Sequence, residues 1–334
     1  VSRALVIQTA WLGDTILTAP LLEKAAALHP RVDVLTTPAA KPLVETHPAV
    51  QRILVFDKRR ADRGLGGLIR TARKLRREGY HVAYLPHRSL RTALLAWLAR
   101  IPVRIGFDDT LARWLYTERR SRQGSHETER LAALVPGKGT PPLRIWLTPK
   151  DRAKAGATLR AARVGDPFVV LAPGSARATK RWPYYRELAA ALGSRISVAI
   201  VGEEKDRLLT AAEKSAAFPI ADLCGRLTLR ESAAVIERAV LAVVNDSAPM
   251  HLAAAVGTPV VAIFGPTHPR LGFAPRGGRD RAVQLDLPCR PCSSHGGKRC
   301  PLGHHRCMRD LSVQQVLSAT MAALETVLRE ERRV

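Results

Sequence analysis

The stretch FVVLAPGSARATKRWP, residues 168–183, decides how the chain is read. Residues 168–171 form a short apolar run of the kind that becomes a buried strand. A loop of small and hydroxyl-bearing residues follows, and Pro183 suits the first turn of a helix. Strand, loop and helix in that order make one half of a βαβ unit. The loop carries Ser175, Thr179 and Lys180, and hydroxyls, a lysine and free helix-start amides together suit a diphosphate. Its spacing matches neither a Walker loop nor G-x-G-x-x-G, which argues against nucleotide hydrolysis and dinucleotide chemistry. A solvated basic loop is the plainer alternative.

The same alternation extends outward in both directions. Strands are expected at 168–171, 198–201, 241–244 and 260–264. Helices are expected at 184–192, 205–217, 229–238 and 250–256, and a last helix at 313–331. The first half repeats the pattern, with strands at 4–7, 32–35, 53–56 and 82–85 and helices at 15–28, 65–78 and 90–99. That spacing implies parallel sheets built from βαβ units. Between them lies VPGKGTPPLRIWLTP, residues 135–149, dense in Gly and Pro and read as a linker. The expectation is therefore an α/β chain of two doubly wound, Rossmann-like domains, 1–148 and 149–334. Ligands would bind in a cleft at the carboxyl ends of the two sheets.

A length of 334 residues accommodates two such cores. Hydrophobic residues make up 46% and aromatics only 5%, so the cores must rest on Ala, Leu and Val. No run approaches the ~18 apolar residues of a membrane span. The opening VSRALVIQTAWLGD has too short an apolar run for a signal peptide, and the chain is read as intracellular. The net charge of +24 calls for a polyanionic partner: nucleic acid, an anionic membrane surface or a phosphorylated substrate. Compositional drift toward Arg explains part of the excess. Its distribution is uneven, because KRRADRGLGGLIRTARKLRR, residues 58–77, is basic almost throughout. The amino-terminal half is thus expected to meet the anion.

Three more segments fall just after expected strands. TAWLGDT, residues 9–15, puts Asp14 at a helix start, where a carboxylate caps free amides or takes a proton from a sugar hydroxyl. VGEEKD, residues 201–206, offers Glu204 to a ribose diol, although a charged helix start explains it as well. VVNDSAPMHLAAA, residues 243–255, places Asp246 and Ser247 at a helix start with His251 in its first turns. Capping explains Asp246 or Ser247 singly, but hardly the cluster.

GDT before an apolar helix, PGS…TKRWP, GEE, NDSAPMHLAAA and FGPT occur in the order seen in the glycosyltransferase family of ADP-heptose:lipopolysaccharide heptosyltransferases. The chain resembles that family over essentially its whole length. Residues 289–308, CRPC through CPLGHHRCM, look like the heptosyltransferase II branch. The resemblance implies a GT-B fold and inverting transfer of heptose from ADP-heptose to the lipopolysaccharide inner core, with no cofactor required. Asp14 would be the general base. Lys180, Ser175 and Thr179 would face the donor diphosphate, Glu204 the ribose and Leu227 the adenine. Asp246, Ser247 and the Ala248 amide would hold heptose and phosphates, with His251 close by. Arg59, Arg60, Arg63, Arg88 and Arg120 would engage an anionic, lipid-linked acceptor at the inner face of the inner membrane.

Cys289, Cys292, Cys300 and Cys307 form C-x2-C-x7-C-x6-C, with His295, His304 and His305 interspersed. This is a fair pattern for a structural metal, yet it fits no common zinc module closely. A reduced loop ordered by packing is the alternative. Two rival functions stand beside the resemblance: a related transferase with another nucleotide sugar or acceptor, and a nucleic-acid binder. The basic residues lack the aromatic interleaving that stacks bases, which argues against nucleic acid.

Overall fold

The computed structural model describes residues 2–208 and 217–332. The chain divides into two compact units, Val1–Trp146 and Leu147–Val334. In the first, strands β1 (Arg3–Gln8), β2 (Arg31–Thr36), β3 (Arg52–Val55), β4 (Val82–Leu85), β5 (Val103–Phe107) and β6 (Glu118–Arg120) form one sheet in the order β3-β2-β1-β4-β5-β6. Helices α1 (Leu12–Leu17), α2 (Ala19–Leu28), α3 (Lys41–Val44), α4 (Gly64–Glu78), α5 (Leu90–Leu98) and α6 (Glu127–Ala132) connect or cover the strands.

The second unit repeats the design. Strands β7 (Phe168–Ala172), β8 (Ser197–Ile200), β9 (Ile220–Asp222), β10 (Leu241–Asn245), β11 (Val260–Ile263) and β12 (Arg281–Val283) run in the order β12-β11-β10-β7-β8-β9. Its helices are α7 (Pro149–Ala161), α8 (Tyr185–Gly193), α9 (Leu229–Arg238), α10 (Ala248–Val256), α11 (Arg306–Arg309) and α12 (Val313–Glu331). Every strand pairing in both sheets is parallel. Both strand orders reverse direction once, between β1 and β4 and between β7 and β10. That is the doubly wound arrangement, with its crevice at the carboxyl ends of those pairs.

The expected α/β class and parallel sheets are therefore present, with differences in detail. The helix expected at 15–28 is two helices. Pro20 has no N–H to donate to the preceding turn, and Thr18 turns its hydroxyl back to the Asp14 carbonyl at 2.7 Å. Of the helix expected at 205–217, residues 209–216 lie outside the described residues. The preceding Glu204–Asp206 is a single 3-10 turn. β5, β6, β9 and β12 were not expected: VRIGF mixes Arg and Gly into its run, and the three-residue ERR, IAD and RAV are edge strands too short to show a period.

Each sheet packs its own core. Leu5, Ile7, Phe56, Leu85 and Leu95 centre the first, and Val169, Leu171, Trp182, Val243 and Ile263 the second. Beside the first core His47 is buried, its ring 4.0 Å from that of Trp146, with Nδ1 accepting the Ala49 amide at 3.1 Å. Burial pushes this imidazole down to about 4, against a weaker opposing pull from the Ala19 backbone. In the unfolded chain the ring titrates near 6.5, so between 6.5 and 4 only the unfolded chain takes up the proton. Stability is level above 6.5 and falls as the pH drops toward 4, by about 2–3 kcal/mol from this group. His47→Gln is expected to flatten that acid slope in chemical denaturation followed from pH 7 to pH 4. An unchanged slope would show that the ring is not held neutral.

Candidate active site

The loop after β7 and the end of β10 meet at the switch point of the second sheet. Lys180 closes the 3-10 turn Ala178–Lys180, and its Nζ lies 2.7 Å from Asp246 Oδ2. Thr267 Oγ1 donates to the same oxygen at 2.6 Å. Both side chains of the ion pair are largely buried, at 12% and 6% exposure, so the carboxylate depends on these two donors. Asn245 ties the two segments together. Its Nδ2 donates to the Pro173 carbonyl at 2.8 Å and its Oδ1 accepts the Trp182 amide at 3.2 Å.

The other expected donor residues gather here, but several hydroxyls already have partners within the protein. Ser247 Oγ donates to the Gly174 carbonyl at 3.0 Å, and so does not cap α10. Ser175 Oγ accepts the Arg177 amide at 3.3 Å. Thr179 exchanges hydrogen bonds with Gly297, giving to its carbonyl at 2.9 Å and taking from its amide at 2.8 Å. Beside these hydroxyls stand the Lys180 ammonium and the start of α10 at Ala248. Pro249 stands in that first turn and His251 is buried in the fourth position. The helix after the loop begins at Tyr185, so Pro183 lies just outside it rather than in its first turn.

Glu204 and Leu227 lie beyond the ends of β8 and β9. Glu204 is exposed and paired with Arg207 at 2.9 Å. Gly225 has φ +75°, and a Cβ there would stand 2.1 Å from Glu204 Oε2, so glycine permits this close approach. Leu227 is half-buried two residues on.

The cysteine-rich segment braces the donor loop. Besides Gly297, His305 Nε2 bonds the Thr179 carbonyl at 2.8 Å. Arg290 anchors the segment through its guanidinium, which donates to the carbonyls of Gly265, Leu285, Thr267 (2.8 Å) and Phe264 (3.2 Å). Burial pushes the Cys307 thiol up to about 11; Arg290 opposes this, and Cys292, Cys300 and Cys289 add to it. The four thiols therefore sit within electrostatic reach of one another. Among the described residues, however, no three or more His, Cys, Asp or Glu side chains are arranged to hold a metal ion. The thiols as placed do not fit a ligand set.

In the first unit the loop after β1 carries Asp14 in α1, half-buried, with Oδ2 accepting the Trp11 amide at 3.1 Å. Gln8 braces this turn from below, bonding Thr18 Oγ1 at 2.9 Å and the Ala10 amide at 3.1 Å. Two neighbours escaped the sequence reading. Lys58 Nζ donates to the Thr9 carbonyl at 2.6 Å, and His87 Nε2 lies 3.5 Å from both Thr9 Oγ1 and Thr92 Oγ1. Burial, reinforced by Lys58, pushes His87 down to about 4, so it is neutral at physiological pH. The usable signal was position: each is a polar residue just past an apolar strand. Of the expected acceptor residues, Arg88 is paired with Asp109 and Arg120 with Glu118 (2.7 Å). Arg59, Arg60 and Arg63 are exposed, with no side-chain ion pair among the described residues.

Two doubly wound units, one with a buried Lys–Asp pair and a helix start at its switch point, have the architecture of GT-B glycosyltransferases. The family model of glycosyltransferase family 9 (heptosyltransferase) matches residues 68–302, and the chain belongs to that family. It is 30% identical to lipopolysaccharide heptosyltransferase 1 of Pseudomonas aeruginosa, over 95% of this chain and 94% of that protein. The solved structure of E. coli ADP-heptose lps heptosyltransferase II superposes with a TM-score of 0.77 at 25% identity, covering 98% of this chain and 99% of that one. A glycosyltransferase family 9 structure from Veillonella parvula superposes with a TM-score of 0.83 at 24% identity, covering 97% and 98%.

Lys180→Met leaves Asp246 buried beside a single donor, and a loss of about 3–5 kcal/mol in stability is expected. Adding Asp246→Asn should return much of that loss, because the two effects are coupled. Anion binding by the loop should stay lost in both variants. Denaturation and nucleotide titration of the three proteins check this, and additive stability losses would refute the coupling.

Proposed function

We propose that this transferase moves L-glycero-D-manno-heptose from ADP-heptose to the lipopolysaccharide inner core, most specifically as the second heptose, with inversion at the anomeric carbon. The observation that carries the reading is the Lys180–Asp246–Thr267 cluster at the switch point of a family 9 chain. In this reading Asp246 and Thr267 hold the Lys180 ammonium toward the donor diphosphate. Lys180 and the α10 amides stabilise the charge that develops as the diphosphate departs. Glu204 holds the ribose and Leu227 lies against the adenine. No cofactor enters the reading.

Asp14 takes the proton of the acceptor hydroxyl as that oxygen attacks from the face opposite the nucleotide. Lys58, whose Nζ donates to the Thr9 carbonyl, and the neutral His87 stand beside the same post-β1 loop. Arg59, Arg60 and Arg63, with Arg88 and Arg120, meet the anionic groups of a lipid-linked acceptor. In this reading the protein meets its acceptor peripherally, at the cytoplasmic face of the inner membrane.

Asp14→Asn keeps an acceptor for the Trp11 amide and so separates capping from proton transfer. Transfer is expected to fall by ~10²–10⁴-fold while ADP-heptose affinity changes by less than about twofold. Turnover near the wild-type rate would remove Asp14 as the base. The substrate reading itself is checked with ADP-heptose and inner-core acceptors differing by one sugar. Transfer only to the acceptor already bearing one heptose is expected, and transfer to none of them would overturn the reading.

A further inference from the structure

Helices α4 and α5 and the 3-10 turn Leu111–Leu115 lie side by side on one face of the first sheet. Six of the eleven large apolar side chains exposed among the described residues stand on this layer: Leu65 (74%), Ile69 (41%), Leu90 (58%), Trp97 (50%), Leu111 (90%) and Trp114 (72%). Leu65, Ile69 and Arg73 follow one another at four-residue intervals, so they share a stripe of α4. Leu90 and Trp97, seven apart, share a stripe of α5 that faces solvent where a soluble helix would carry polar residues. Between the helices runs a groove of about 620 Å³ lined by Ile69 and Trp97 together with Arg73, Arg76, Arg100 and Arg104. No acidic residue lines it. Beyond it the guanidinium groups of Arg113 and Arg119 stack on the Trp114 ring, at 5.0 and 5.3 Å from its centroid.

We infer that this face docks on an anionic phospholipid bilayer. Tryptophans lying among arginines suit the headgroup boundary, where the rings enter the acyl margin and the guanidinium groups remain with the phosphates. Arg73, Arg76 and Arg100 have no side-chain ion pair among the described residues and are available to lipid phosphate. A second copy of the chain fits the face poorly, because a two-fold contact would set these arginines against their own equivalents. The first turns of α4 and α5, with Leu65 and Leu90, adjoin Arg63 and Arg88 at the carboxyl edge of the sheet. A protein held by this face therefore offers the edge bearing Asp14 to headgroups of the same membrane. The inference deepens the lipid-acceptor reading above by naming the surface that meets the membrane.

The test is sedimentation with vesicles of phosphatidylethanolamine and phosphatidylglycerol, beside vesicles of phosphatidylcholine alone. Wild-type protein is expected to bind the anionic vesicles at least tenfold more tightly, and less so as salt rises. The double variant Trp97→Ser, Trp114→Ser should lose at least tenfold of that binding. The triple variant Arg73→Gln, Arg76→Gln, Arg100→Gln should lose its salt dependence. Both should transfer to a water-soluble, lipid-free acceptor at rates within about twofold of wild type. In the wild-type protein, brominated lipids should quench tryptophan fluorescence, which decides the matter should a variant fold poorly. Absence of anionic-vesicle binding, variants that bind like wild type, or a self-association lost in the tryptophan variant would each overturn the inference. Failure of heptose transfer would overturn the substrate reading and leave vesicle binding as it stands.

Discussion

Both units obey one geometric constraint, the reversal of strand order between the first and fourth strands of each sheet. β7 and β10 are hydrogen-bonded neighbours, but the chain leaves them in opposite directions across the sheet. Two loops that diverge above adjacent strands leave a crevice no side chain of the sheet can fill. The same holds for β1 and β4. Polar residues at these four strand ends are thus freed from the core without being released into bulk water. Asp14, His87, Lys180 and Asp246 all stand at such positions, which is why a fold so dominated by Ala, Val and Leu concentrates its chemistry there.

Semi-burial makes the pairing of these groups decisive. A lone ammonium or carboxylate at that depth would be neutralised or would draw in water. The Lys180–Asp246 pair resolves the conflict for the second sheet by giving each charge a partner. Thr267 takes up further acceptor capacity of the carboxylate. Lysine has three donors, so one can serve Asp246 while others remain for a ligand. Thr179, one residue before Lys180, is clamped from the far side by Gly297 and His305. The cysteine-rich segment thus meets the loop through the Gly297 backbone and His305, and Arg290 ties the segment to the carbonyls of Phe264, Gly265 and Thr267.

How much of this the sequence discloses depends on the range of the interaction. The apolar runs of β1, β7, β10 and β11 and the residues just past them are local patterns, and they were legible. Lys180 and Asp246 were each assigned to the donor side by resemblance, but their ion pair, across 66 positions, was not legible. The roles of Asn245, Thr267 and Arg290 were not legible. Each is an ordinary polar residue whose importance comes from which distant carbonyl or carboxylate it meets. Lys58 and His87 stand just past apolar strands, as the residues that were read do, but their shared partner Thr9 lies 49 and 78 positions away. The hydroxyls read as ligand groups have a second use that the sequence did not disclose: Ser175, Thr179 and Ser247 also hold loops of the fold.

The distribution of charge gains meaning only once the layers are assigned. Read along the chain, the basic run at 58–77 is one block. In the fold it separates into two populations. Arg59, Arg60 and Arg63 precede or open α4 at the carboxyl edge of the sheet, while Arg73 and Arg76 line the groove along its length. A field that served only to attract a soluble anion would need no apolar partners, and positive charge on any surface would do. The outward stripe of α5 carries Leu90 and Trp97 instead, and two arginines lie over the exposed Trp114 ring. Burial of such side chains requires a surface that is apolar within and anionic at its margin. A bilayer of acidic lipids has that order of layers, and a nucleic acid, with its charge outside and its bases stacked inside, does not offer these side chains an apolar phase.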